Sequence, residues 1–290
     1  IFMLLLSCLA IYFFTQNKYL LSGLILAFGI SLKVYPIFIL FYFIYKRELK
    51  VMVWTGIFLV LVNSITILVF GADQAFAYYH HFYSQIASIP PTAHNKNQSF
   101  LAMLLRLFTS TGTGSIQINF MNLSAEVVKR INYVVIAVLF LYPAYMFRKK
   151  LVNKTGIEAI LEYSILLSVI PILSPLAWKA YFIFQWFSYF TVFVLLFKVP
   201  NEMGKNKMQF LKVLFTLSIL LNIFTTDGVV GMYFSQILQT LSCITIGTML
   251  IVLIQIILYK NISKFDLTAI KYARFDGVDL IHNSNGAKKK

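Results

Sequence analysis

The chain of 290 residues is 59% apolar and 12% charged, with a mean hydropathy of +0.79. A soluble domain carries about twice that share of charge, which excludes water as the main solvent, and an outer-membrane barrel would need alternating strands and far more turns. The net charge of +15 then fits lysines and arginines that hold cytoplasmic loops in place, and no nucleic-acid partner is expected.

In chain order, an apolar run opens the sequence from Ile1 to Phe14. It lacks the charged start and small-residue cleavage site of a signal peptide, so the expectation is a chain whose first spans lie upstream of residue 1. Further runs long enough to cross a hydrocarbon core predict spans at 19–45, 51–70, 127–147, 159–176, 179–198, 210–226 and 235–259. The expected fold is all-α: a polytopic transmembrane helical bundle over 1–260, with a polar cytoplasmic tail over 261–290. Cys8 and Cys243 fall in apolar runs without metal-ligand spacing and read as packing residues.

Orientation follows from the short loops. Lys46, Arg47 and Lys50 form one basic group, Arg148 to Lys150 with Lys154 a second, and Lys198, Lys205, Lys207 and Lys212 a third. The tail supplies a fourth. Threading the spans after residue 50 alternately puts all four on one face, which the positive-inside rule makes cytoplasmic. Segments 71–126, 176–179 and 227–234 then face outward. Pro90-Pro91 and Gly112-Thr113-Gly114 break the first of these. Short interfacial helices are expected in it on the outer leaflet, including the amphipathic piece Gln98–Phe108.

The run 19–45 contains SLKVYP, Ser31 to Pro36. Proline removes a backbone donor and disfavours helix at Tyr35. The run is either one tilted span or two short helices that meet near Lys33–Pro36 and return to the cytoplasm. In both cases the freed backbone should face a cavity. A lysine at that depth costs about 2.5–3.5 kcal/mol unless water or an anion meets it. Lys33 is therefore a candidate phosphate contact, with snorkelling or a structural ion pair as the plain alternative.

Two more clusters stand out. Asn97-Gln98-Ser99 precedes an apolar-periodic run and could cap it, which accounts for Asn97 or Ser99 but not Gln98. Arg106 follows on that run, as a bidentate phosphate ligand or a headgroup anchor. LSPLAWKAYFIFQW, Leu173 to Trp186, follows Pro171, carries Pro175 near its start and sets Trp178 and Lys179 at the outer mouth. Its aromatic rings suit an interfacial belt or sugar stacking. Asp73 reads as a helix-end residue, and His80-His81 point to different faces and form no metal pair.

LKVYP, then NQSF with LLRLF, then LSPLAW together resemble glycosyltransferase family 87, over roughly Ser7 to Phe190. The resemblance implies a GT-C type bundle in the bacterial inner membrane with a cavity at its outer face. It implies inverting transfer of a sugar, such as mannose, from a polyprenyl-phosphate donor to a glycolipid or glycan hydroxyl, with no cofactor and no metal. Lys33, Asn97, Gln98, Arg106 and Trp178 carry over, with Tyr35 and Lys179 in the same motifs. In such enzymes the catalytic aspartate lies in an early outer loop, expected upstream of residue 1. Histidines that commonly follow the SPxxW tryptophan are replaced here by Lys179-Ala180-Tyr181. The rival readings are a flippase or transporter for a lipid-linked sugar, since broken helices and buried cations serve transport too, and a polysaccharide polymerase or ligase.

Overall fold

A computed structural model describes residues 1–88, 93–113 and 116–265. Pro90-Pro91, Gly114 and residues 266–290 of the expected tail lie outside the described residues. The described chain is all-helical: α1 (Phe2–Thr15), α2 (Tyr19–Leu32), α3 (Ile37–Tyr45), α4 (Leu49–Phe70), α5 (Ala72–Ser88), α6 (Phe100–Phe108), α7 (Ala125–Met146), α8 (Ile157–Leu173), a 3₁₀ stretch Lys179–Phe184 running into α9 (Gln185–Phe197), α10 (Lys205–Ile223), α11 (Asp227–Thr240) and α12 (Cys243–Lys260). Among them α4, α7, Lys179–Phe197 and α12 are each long and apolar enough to cross a membrane, and α10 with α11 qualifies only as a pair bent by 89°. Only Val51 and Thr55 of α4 are buried, as suits a helix bathed in lipid.

The ambiguous run 19–45 is a re-entrant pair. The helix stops at Leu32, Lys33 is extended (φ −161°, ψ 130°), and Pro36 starts α3. Both outer ends of the pair return to one place. Lys154 Nζ donates to Tyr19 Oη at 3.0 Å, at the start of α2, and lies 3.7 Å from the Glu48 carboxylate, just past α3. α4 packs along α2 at Gly23, where an added Cβ would meet Trp54 Cβ at 2.6 Å and Thr55 N at 2.8 Å.

That end also gathers the basic loops. Lys46 Nζ donates to Phe147 O at 2.6 Å and Lys149 O at 2.8 Å and sits 2.7 Å from Glu162. Tyr42 and Tyr259 hydroxyls donate to the same carboxylate, at 2.6 and 3.0 Å. Glu202 N bonds Lys264 O at 2.8 Å, and Phe265 is buried, so the beginning of the expected tail packs onto the bundle. This is the basic end; the other is the far end.

Two expectations change. The run 235–259 is not one span: the chain turns at Ser242, whose φ is +60°, and divides into α11 and α12. Nor does α6 lie on a leaflet. Phe100 and Ala102 to Leu107 are all buried, because this helix plugs the far end and its polar groups find protein partners. In α5, Ala75 is buried and most of the described side chains are exposed.

Candidate functional site

The far end is built on one corner, Ser174 to Trp178. Pro175 disfavours helix at the residue before it, and α8 ends there with Ser174 extended (ψ 135°). Pro171 stays inside the helix. The corner exposes backbone groups that must be satisfied inside a membrane protein, and two sequence-distant clusters satisfy them.

The first is Asn97-Gln98-Ser99. Asn97 Oδ1 accepts from Ala177 N at 3.0 Å and Ser99 N at 3.1 Å, while its Nδ2 donates to Pro175 O at 3.3 Å. Ser99 Oγ donates to Pro175 O and accepts from Ala102 N, both at 3.1 Å, which caps α6. Gln98 N donates to Ala177 O at 2.7 Å, and its Nε2 donates to Asn95 O and to Gln239 O at 2.8 Å. Gln98 Oε1 is buried and has no partner among the described residues.

Arg106 completes this layer from within. It is only 3% exposed. Nε donates to Thr240 O at 3.3 Å, NH1 to His94 O at 2.7 Å and to Asn97 O, and NH2 to Ser242 Oγ. A guanidinium has five N–H donors, and these bonds occupy four. Burial pushes its pKa down to about 10, still charged at neutral pH. Four of its donors clamp the 94–97 and 240–242 turns, where the sequence led to a phosphate contact or a headgroup anchor.

The second cluster is more open. Tyr35 Oη donates to Leu176 O at 3.1 Å and lies 3.3 Å from Ser174 Oγ. Its ring sits 4.8 Å from the Tyr181 ring. Lys33 Nζ lies over both, 4.0 Å from the Tyr181 centroid and 5.4 Å from that of Tyr35. Among the described residues Lys33 has no carboxylate partner. Trp178 stands beside this shelf, 47% exposed. Lys179 turns the other way: Nζ donates to Thr225 O and pairs with Asp227 Oδ1 at 3.3 Å. Ser235 Oγ donates to the same carboxylate, and this hydroxyl and the Lys179 charge lower the Asp227 pKa.

The structure therefore joins Lys33, Tyr35, Asn97, Gln98 and Arg106 through one corner and leaves Trp178 at its rim. It separates Lys179 from Lys33. Sequence reasoning left the rings of this stretch, Tyr181 among them, to an interfacial belt or to sugar stacking, and did not pair Tyr181 with Lys33. It treated Glu162 as nothing special and Lys46 as a loop anchor; one acid inside the run 159–176 was the available signal.

The model of glycosyltransferase family 87 matches residues 1–175, well over half of the chain. No curated protein and no solved structure matches it.

Proposed function

This chain belongs to glycosyltransferase family 87, and we propose that it transfers a hexose such as mannose from a polyprenyl-phosphate carrier to a glycolipid or glycan hydroxyl at the far end of the bundle. The family and the membrane-length helices make it a membrane glycosyltransferase; the donor, the sugar and the facing belong to the proposal. The far end would face away from the cytoplasm, because the lysine-rich loops collect at the other end. In the reaction the acceptor oxygen bonds to the anomeric carbon as the bond from that carbon to the phosphate oxygen breaks. The electron pair leaves on the lipid phosphate, and the hydroxyl proton passes to a base. None of the site residues fills that last role, and Asp227 is already paired with Lys179.

One observation carries the reading. Lys33 holds a cation over two aromatic rings at a break in the membrane-embedded backbone, with no carboxylate among the described residues to neutralise it. A fixed cation aimed at growing negative charge acts most strongly where water is excluded. Asn97, Gln98 and Arg106 hold the floor on which that cation is placed. The test is transfer from polyprenyl-phosphate mannose by protein reconstituted in vesicles. Lys33→Ala should lower turnover about 10²-fold, with Lys33→Arg keeping part of it; an unchanged rate would remove the reading.

Transport has one observation in its favour, the two broken elements α2–α3 and α10–α11, which resemble discontinuous transporter helices. It requires the lipid-linked sugar to cross the vesicle wall without an acceptor. Sugar transfer with no such crossing decides for the enzyme.

A further inference from the structure

α10 and α12 pack closely in their far-end halves. At Gly247 an added Cβ would meet Ser218 O at 3.0 Å and Leu221 Cβ at 3.3 Å. One turn further, Cys243 borders a gap lined on the other side by Leu220 and Leu221. α11 roofs that gap. It leaves α10 through the 89° bend, and inside it Gly231 has φ +78° and ψ 163°, a conformation that essentially only glycine adopts. The result is an apolar crevice of about 590 Å³, bounded by Leu220, Leu221 and Phe224 of α10, Phe234 and Leu238 of α11, and Cys243 of α12.

We infer that this crevice holds the hydrocarbon tail of a lipid-anchored acceptor, an assignment that rests on the transferase reading above. Protein interiors leave few voids larger than a water molecule, and an apolar void does not fill with water. The crevice instead opens beside Leu220, Phe224 and Phe234, which are 40%, 43% and 62% exposed on helices that face lipid. Its occupant is therefore hydrocarbon. Its inner wall leads to the site: Cys243 adjoins Ile244, which packs with Ala177, Phe182 and Tyr181, the last being the ring beneath Lys33. A tail in the crevice sets its head group at the Trp178 corner, where an acceptor hydroxyl is needed. The crevice is also built entirely from residues beyond the family match, which ends at residue 175. Lys33 and Tyr35, which the transferase reading gives to the donor phosphate, fall within the match, so a feature outside it suits the other substrate.

The experiment uses dodecyl mannoside bearing a diazirine at the chain end, with the full chain in phosphatidylcholine vesicles. Photolabelling should concentrate at Leu221, Phe234, Leu238 and Cys243, several-fold above Val60 and Leu68 of α4, which are open to lipid at 65% and 83% exposure. Leu238→Trp should abolish the crevice labels and spare those on α4. Equal labelling of both places overturns the crevice as a binding site. In the transfer assay, Leu238→Trp should raise KM about tenfold for dodecyl mannoside, the loss of roughly two buried methylenes, and leave methyl mannoside and the donor unchanged. An unchanged KM for both acceptors makes the crevice a structural lipid site and overturns the acceptor assignment. If wild-type protein transfers to no acceptor, the transferase reading fails, and the labelling pattern still judges the crevice.

Discussion

Two lysines bracket α3, and they are in opposite states. Lys46, at the basic end, meets a carboxylate and two carbonyl oxygens, with its side chain 2% exposed. Lys33, at the far end, meets two aromatic faces and, among the described residues, no anion. A buried and matched ion ties elements together; a part-buried, unmatched one has an unspent attraction for an incoming anion. The same residue type, thirteen positions away in one hairpin, is a rivet in one place and, in the proposed function, a receptor in the other.

The sharpest way to break this contrast is to unpair the rivet. Glu162→Ala should cost about 3–5 kcal/mol, the usual result of leaving one buried charge alone, read as a large fall in Tm in detergent. The double variant Lys46→Met with Glu162→Leu should recover much of it. Arg106→Lys comes next. Lysine keeps the charge but loses the fork that spans Thr240, His94, Asn97 and Ser242. The expected loss is about 1.5–3 kcal/mol, with donor KM unchanged in the folded fraction; a raised KM at normal Tm would move Arg106 to the receptor side. Tyr181→Leu should weaken the receptor alone, by about 0.5–2 kcal/mol, seen as a higher donor KM at nearly constant Tm.

The smallest effect concerns Asp227. Its pKa is lowered in the folded chain by Ser235 and Lys179, so the stabilisation is present above the ordinary carboxylate range. It disappears as pH falls through the lowered value. The pair is exposed, hence worth at most about 1 kcal/mol. Asp227→Asn should flatten that acid limb of a Tm-against-pH curve and change little near neutrality.

Much of this architecture was legible in the residues. Apolar runs gave α4, α7 and the Lys179–Phe197 span, Pro36 marked the break after Leu32, and loop lysines gave the common end. What was not legible depended on distant partners. Nothing local distinguishes Arg106 on an interface from Arg106 in a plug, because its acceptors lie in the 94–97 and 240–242 turns. The Lys46–Glu162 pair joins positions far apart in the chain. The turn at Ser242 carries no glycine or proline, so periodicity ran straight through it.

The re-entrant hairpin also bears on which nucleophile wins. α2 has 14 residues and climbs about 21 Å at 1.5 Å per residue, against a hydrocarbon core of about 30 Å. Lys33 is thus recessed roughly 9 Å below the opposite membrane surface. In the proposed reaction a sugar held at that depth would be drawn away from bulk solvent, so an acceptor brought in along the protein would outcompete hydrolysis.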